Sequence, residues 1–271
     1  MNKQIQSMGN ILFIDIETVS NTSEFDNLSF QEQDQWSQKA SYICKKQAPV
    51  LEELRESYRS RAGIYAEFSK VVCISTGYFD THRSNIKSFR LKSYYGKNET
   101  DLLSRFSEMI ERHFNQPEIQ FLCGHNIKEF DVPFLCRRML INGLQIPKLF
   151  DVQNKKPWQI NHLIDTLHHW RFGDYKNYTS LDVLASIFKI PSPKEKMNGS
   201  LVHEAYWESE DLTSIYKYCE LDVFTVAQVY LKLKGIELSE EIEFISKTQE
   251  GNDLEKSECV SKTVLNTSKK V

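Results

Sequence analysis

The stretch ILFIDIET, residues 11–18, carries the signal from which the rest of this chain can be read. Ile11 to Ile14 form a compact apolar run that ends in charge, the pattern of a buried strand. Side chains alternate between the faces of a strand, so Asp15 and Glu17 project to one side, roughly 6–7 Å apart along the backbone. Two carboxylates so placed repel each other, and at least one pKa rises unless a cation sits between them. The triplet alone is weak, because Asp253-Leu254-Glu255 repeats it near the C-terminus.

Outward from this strand, residues 20–68 are polar and rich in Gln and Glu, with helical patterning at Glu32–Lys39 and Pro49–Arg61, and read as an insertion or lid. Lys70–Phe79 and Ile86–Tyr95 read as strands. A loop with Gly96 and Asn98 leads to a helix at Glu99–Phe114. Ile119–Cys123 is another buried strand, and Val132–Asn142 a helix stopped by Gly143. Asn161–Trp170 and Ser180–Phe188 are expected to be helical, and Asp211–Lys234 a long helix. The polar tail, 236–271, lacks sustained periodicity and is expected to be disordered. Strands followed by alternating helices and strands predict one mixed α/β domain over 1–235.

Two further acids stand at structured positions. Asp131 follows the strand Ile119–Cys123 and opens the next helix; a helix cap is the less favoured alternative in isolation. Asn21 to Asp26 has the spacing of Asn126 to Asp131 but follows no strand of its own. Tyr218 and Asp222 are four residues apart in the long helix and share a face. Tyr178 and Asp182 repeat that spacing, with Ser180 as an N-cap and Asp182 as a first-turn acid. Each pattern has a chance double, so the weight rests on their combination and order. Four clustered carboxylates need cations to be tolerated in a folded interior, and hard oxygen ligands suit Mg²⁺ or Mn²⁺.

FIDIET (13–18), GHNIKEFDVPFL (124–135) and YCELDV (218–223) resemble the three exonuclease motifs of the DEDD superfamily. Tyr218 marks the DEDDy branch; the DEDDh branch would place a His where Lys217 stands. From Ile11 to about Lys234 the chain resembles the predicted 3′→5′ exonucleases related to the proofreading domain of family-B DNA polymerases. KKPWQINHLIDTLHHW, TSLDVLASIFKI and SPKEKMNGSLV are similar to that subfamily as well. The tail and residues 20–68 are covered poorly or not at all.

The resemblance implies a ribonuclease-H-like fold with a five-stranded mixed sheet flanked by helices, and two-metal hydrolysis at single-stranded 3′ ends. It implies that Asp15 bridges two Mg²⁺ or Mn²⁺ ions, with Glu17 and Asp222 completing one site and Asp131 holding the other. Tyr218 would orient the attacking water. Asn126 and Phe130 would shape the pocket for the terminal nucleotide. Apart from the resemblance, Asp165 is expected behind the site or on its substrate side, and Thr18 and Lys194 are candidate substrate contacts. The rivals are an exoribonuclease of the ribonuclease-D kind, a non-catalytic nucleic-acid-binding module, and a structure-specific endonuclease on the same fold. A DNA enzyme would proofread or repair in trans, since no polymerase or helicase domain is recognisable.

Other features point elsewhere less strongly. A net charge of −3 argues against coating long duplexes, yet leaves room for gripping a short single-stranded end. The six scattered cysteines form no CxxC pair and fit a reduced, cytoplasmic compartment. No signal peptide or membrane span is expected. His162, His168 and His169 flank Asp165, but adjacent histidines point to different helix faces, which argues against zinc. Lys194 and Lys196 are candidate phosphate contacts or a solvated loop. Trp158 is read as a core anchor ahead of a base-stacking residue.

Overall fold

Strands and helices are interleaved along the chain in the computed structural model, which describes residues 8–82, 85–190, 199–236, 242–248 and 263–264. The strands are β1 (Ile11–Ser20), β2 (Ser69–His82), β3 (Asn85–Tyr95), β4 (Phe121–Gly124), β5 (Leu163–Asp165), β6 (Glu243–Ser246) and β7 (Thr263–Val264). The helices are α1 (Phe30–Ile43), α2 (Leu51–Arg61), α3 (Glu99–His113), α4 (Asp131–Ile141), α5 (Thr166–Arg171), α6 (Leu181–Ile187), α7 (Val202–Trp207) and α8 (Leu212–Leu233).

All seven strands form one mixed sheet in the order β5-β4-β1-β2-β3-β6-β7. β1 pairs parallel with β4 and antiparallel with β2. The expected five strands are extended by β6 and β7, which lengthen the sheet beyond β3. That extension is the main departure from the expected count. Its cause is non-local: the tail segment EFIS is short and half polar, and becomes a strand by pairing parallel with β3, Phe244 beside Phe89.

Alternation along β1 sorts the core into two layers. Leu12, Ile14 and Ile16 face α3 and α4, meeting Leu102, Phe106, Val132 and Leu135. Ile11 and Phe13 face α6 and α8, packing with Leu184, Val223, Ala227 and Tyr230. Val19 continues that second face towards α7 and the start of α8. Asp15 and Glu17 belong to the same odd-numbered row, so strand geometry alone turns them towards α8. β1 runs on to Ser20 with a bulge between Glu17 and Thr18, so the acids lie within the strand and not at its end.

Residues 20–68 hold α1 and α2, at the two places where the sequence is helically patterned. α1 is opened by a capping box in which Ser29 and Glu32 satisfy each other's backbone N–H groups. Trp36 sits edge-on to Tyr58 and Phe68 in a small core that also holds Phe25, Leu28 and Ala62. Gly143, with φ of +70°, ends α4 where the sequence placed the stop.

Two readings are corrected. Asn161–Trp170 is not one helix: Leu163–Asp165 is a strand beside β4, and only Thr166–Arg171 is helical. A three-residue apolar strand feeding directly into a short helix has no period of its own to reveal it. Trp158 is exposed, with the Lys156 ammonium over its ring, and is no core anchor. Lys194 and Lys196, the second Asp-x-Glu at residues 253–255, and Cys259 lie outside the described residues. Among those described, no helix is long and apolar enough to cross a membrane.

The described part of the tail is tied to the core through one carboxylate. Glu220, buried in α8, accepts hydrogen bonds at Oε1 from Ser93 (2.9 Å), Ser246 (2.8 Å) and Thr248. Thr248 Oγ1 in turn accepts from the backbone N–H of Ser93 at 2.8 Å.

Candidate active site

β4 ends at Gly124, level with the middle of β1, whereas β1 continues beside β2. The chain must turn sharply there; a Cβ on Gly124 would meet Ile127 Cβ at 2.8 Å. Asn126 takes a left-handed conformation, φ of +64°, and its carbonyl accepts from the N–H groups of Glu129 (3.1 Å) and Phe130 (3.0 Å). This compact turn delivers Asp131 as the first residue of α4 at the carboxyl end of the parallel strands, the edge where open α/β sheets place ligands.

Four acids meet at this edge. Asp15 is faced by the charges of Glu17, Asp222 and Asp131, and burial together with those three carboxylates pushes its pKa well up. Asp131, buried, rises to about 7, chiefly by burial and then by the Asp165 charge, although the Ile16 N–H donates to it. Glu17 and Asp222 are buried as well. Tyr218 and Asp222 share the α8 face that meets β1, and the phenol hydrogen-bonds that carboxylate. Burial first, then Asp222, Glu17 and Asp15, drive the Tyr218 pKa far upward, so the phenol keeps its proton.

Cys219 was not anticipated from the sequence. Its thiol donates towards the Asp15 carbonyl (3.3 Å) and lies 3.5 Å from Asp15 Oδ2. Ligand atoms of Asp15, Glu17 and Cys219 all lie within 4.8 Å of one another, the only such group among the described residues. Burial raises the Cys219 pKa well above its ordinary value, so the sulfur is a neutral thiol here and the carboxylates are the ionic donors. The available signal was helical spacing: Cys219 stands three residues before Asp222, on the face that meets β1.

Asp165, expected either behind the site or on its substrate side, holds the backbone behind it. It is buried, and its carboxylate accepts from four backbone N–H groups: Asn126 (3.0 Å), Lys128 (3.2 Å), Leu167 (3.0 Å) and His168 (3.4 Å). It therefore caps α5 and clamps the turn that leads to Asp131 in one stroke. Replacing Asp165 with Ala would leave these groups short of an acceptor, an expected loss of at least about 2 kcal/mol. Urea denaturation should show a lower midpoint at unchanged slope; an unchanged midpoint would mean that water takes over the clamp.

The remaining expected contacts divide. Asn126 Oδ1 is buried without a hydrogen-bond partner at the turn, and Phe130 packs partly against Phe134. The Thr18 hydroxyl donates to the Gly63 carbonyl at 2.7 Å, fastening the helical insertion to β1 one residue from Glu17. His162 Nε2 lies 3.0 Å from the Leu149 carbonyl, which it is placed to reach as donor, and His162 joins no metal-like group among the described residues.

A chain in which a strand Asp-x-Glu, a strand-to-helix Asp and a helical Tyr-x-x-x-Asp converge can be compared with known proteins. Residues 64–258 match the family model described as predicted 3′-5′ exonuclease related to the exonuclease domain of PolB. The chain belongs to this family. The match begins after β1, so Asp15 and Glu17 enter the site through the geometry above. A solved family B DNA polymerase from the hyperthermophilic archaeon Pyrobaculum calidifontis superposes with a TM-score of 0.51 at 16% identity. The likeness covers 83% of this chain and 24% of the polymerase chain, and it concerns the fold: the α/β, ribonuclease-H-like class expected from the motifs. This chain thus spans about a quarter of that polymerase's length. No curated protein matches.

Proposed function

We propose that this member of the exonuclease family is a metal-dependent enzyme that hydrolyses the terminal phosphodiester at single-stranded 3′ ends, with DNA as the expected polymer. The observation that carries the reading is the convergence of Glu17, Asp222 and Asp131 on the half-buried Asp15 carboxylate, whose pKa is pushed up by desolvation first and then by those three acids. Such a cluster opposes folding at neutral pH unless cations complete it.

The donor set fits Mg²⁺ or Mn²⁺, two per site, because its ionic groups are all hard oxygens and the neighbouring sulfur is protonated. Asp15 would contact both ions, Glu17 and Asp222 one, and Asp131 the other. Bound there, the cations would lower the pKa of the attacking water and stabilise the departing 3′ oxygen. Tyr218, whose pKa burial and the neighbouring acids push upward, would hold that water by hydrogen bonding. The unpartnered Asn126 amide oxygen would accept from the terminal nucleotide, with Phe130 beside it.

The test is digestion of 3′- and 5′-labelled single-stranded DNA and RNA oligonucleotides with Mn²⁺, Mg²⁺ or EDTA, beside Asp15→Ala. Stepwise shortening from the 3′ end, lost with EDTA and with the variant, is expected on DNA. Digestion of RNA alone would move the assignment to the ribonuclease-D kind. Absence of cleavage of either polymer, with cation binding established separately, would leave a binding module on this fold.

A further inference from the structure

Immediately beyond α5 the chain exposes aromatic side chains to solvent. Phe172 is 89% exposed, Tyr175 70% and Tyr178 63%. Exposed rings are normal one at a time; three within seven residues make a patch that calls for an occupant. Phe172 occupies the α5 C-cap in a left-handed conformation, φ of +45°, followed by Gly173 at +90°. A bulky non-glycine residue is costly there, and the conformation lifts its ring off the surface.

This patch adjoins the turn that supplies Asp131. Tyr178 meets His125 edge-on at 6.2 Å, and His125 Nε2 lies 2.8 Å from the Thr179 carbonyl, which it is placed to reach as donor. Tyr175 lies against the His168 ring at 6.1 Å and under the Arg171 guanidinium at 5.8 Å. Glu129, two residues before Asp131, brings its carboxylate within 3.5 Å of His168 Nε2 and 3.6 Å of Arg171 Nη1. Nevertheless His168 Nε2 and Arg171 Nε are buried atoms without a hydrogen-bond partner. The Arg171 side chain is itself nine-tenths buried, and its guanidinium stands between the exposed Tyr175 ring and the half-exposed Glu129 carboxylate.

We infer that the Phe172–Tyr178 segment, with His168 and Arg171, is a platform that carries the single strand lying 5′ to the terminal nucleotide. Successive bases stack on the exposed rings, and a backbone phosphate takes the place of Glu129 at the Arg171 guanidinium. The occupant is nucleic acid because one polymer must offer π-faces and an anion in alternation, and because the patch continues from the Asp131 turn. Glu129, more than half exposed, competes with that phosphate for Arg171. This inference deepens the exonuclease reading and rests on it for the polarity of the strand.

Binding of fluorescent dT12 and dT3 in Ca²⁺, measured by anisotropy, tests the platform separately from the chemistry. Phe172→Ala/Tyr175→Ala is expected to weaken dT12 on the order of tenfold or more and to leave dT3 unchanged. Glu129→Gln is expected to tighten dT12. Mn²⁺-dependent hydrolysis of thymidine 5′-(p-nitrophenyl phosphate), a substrate with no strand, should be unaltered in the double variant. An unchanged dT12 affinity, equal losses for dT12 and dT3, or a wild type that binds both lengths equally would overturn the platform. Failure of wild type to hydrolyse the nitrophenyl ester, alongside the expected dT12 loss, would sink the exonuclease reading and keep the platform.

Discussion

Asp131→Asn is expected to abolish exonuclease activity while making the metal-free protein more stable at pH 7. The two effects have one cause. The Asp131 carboxyl has a folded-state pKa of about 7 against an ordinary value of 3.8, so folding favours its protonated form. Through the intervening pH range the unfolded chain binds fewer protons than the native one, and stability falls as pH rises from about 4 to about 7. At ~1.4 kcal/mol per pH unit the loss for this group is on the order of 4 kcal/mol, fully present above pH 7 and absent below pH 4. Asn carries no charge to bury and still offers an oxygen to the Ile16 N–H, so the variant should flatten that slope. For a chain of this size a gain of a few kcal/mol raises Tm by roughly 2–4 °C per kcal/mol.

Cations should do for the wild type what the substitution does for the variant. Ions that bind only the folded state stabilise it by mass action, so Mn²⁺ should raise the wild-type Tm near pH 7 and raise that of Asp131→Asn much less. Hydrolysis should fall by at least about a thousandfold in the variant, as expected when several kcal/mol of transition-state charge stabilisation are lost. Thermal melts from pH 4 to 8 with EDTA or Mn²⁺, beside the digestion assay, measure all of this. The same stability slope from pH 4 to 7 in the metal-free wild type and in Asp131→Asn would remove the basis for a cation site at Asp131.

Much of the site is legible in the sequence because its acids sit where periodicity is strong. Asp15 and Glu17 ride an apolar strand whose alternation fixes their common face, and Asp222 rides a 22-residue helix whose apolar row predicts its orientation. What stays hidden depends on contacts between segments distant in sequence. Asp165 reads as a mid-helix acid because Leu163 and Ile164 are too few to display a strand period; its four N–H partners come from two separate turns. Glu220 reads as a spacer between Tyr218 and Asp222. Its donors come from β3 and from a tail whose composition suggests disorder, so neither the carboxylate nor the tail segment discloses the bond alone. Thr18 matches a motif position, but the bulge at Glu17/Thr18 turns its hydroxyl to the insertion.

Arg138→Met is expected to cost about 3–5 kcal/mol of folding stability, the range for stranding one charge of a buried pair. Arg138 on α4 meets Glu99, the first residue of α3, through Nε at 2.9 Å and Nη2 at 2.5 Å, and its Nη1 donates to the Ala66 carbonyl at 2.8 Å. Glu99 also accepts from the Val71 N–H (2.7 Å) and from the Asn142 amide (2.9 Å). One carboxylate thus ties together α3, β2 and α4, and the arginine adds the segment where the helical insertion rejoins the sheet. The methionine fills most of the volume, so the loss would come from Glu99, left buried near two remaining donors without a cation. Adding Glu99→Gln removes that charge and should recover part of the loss, giving a double variant more stable than the sum of the two single effects. Exposed pairs such as Lys97–Glu210 and Lys46–Glu53 should cost far less when broken, because solvent screens them. Urea midpoints at constant slope decide between these cases. A buried pair that costs no more than the exposed ones would mean that α4, and Asp131 at its head, are held by the apolar contacts of Val132, Leu135 and Met139 alone.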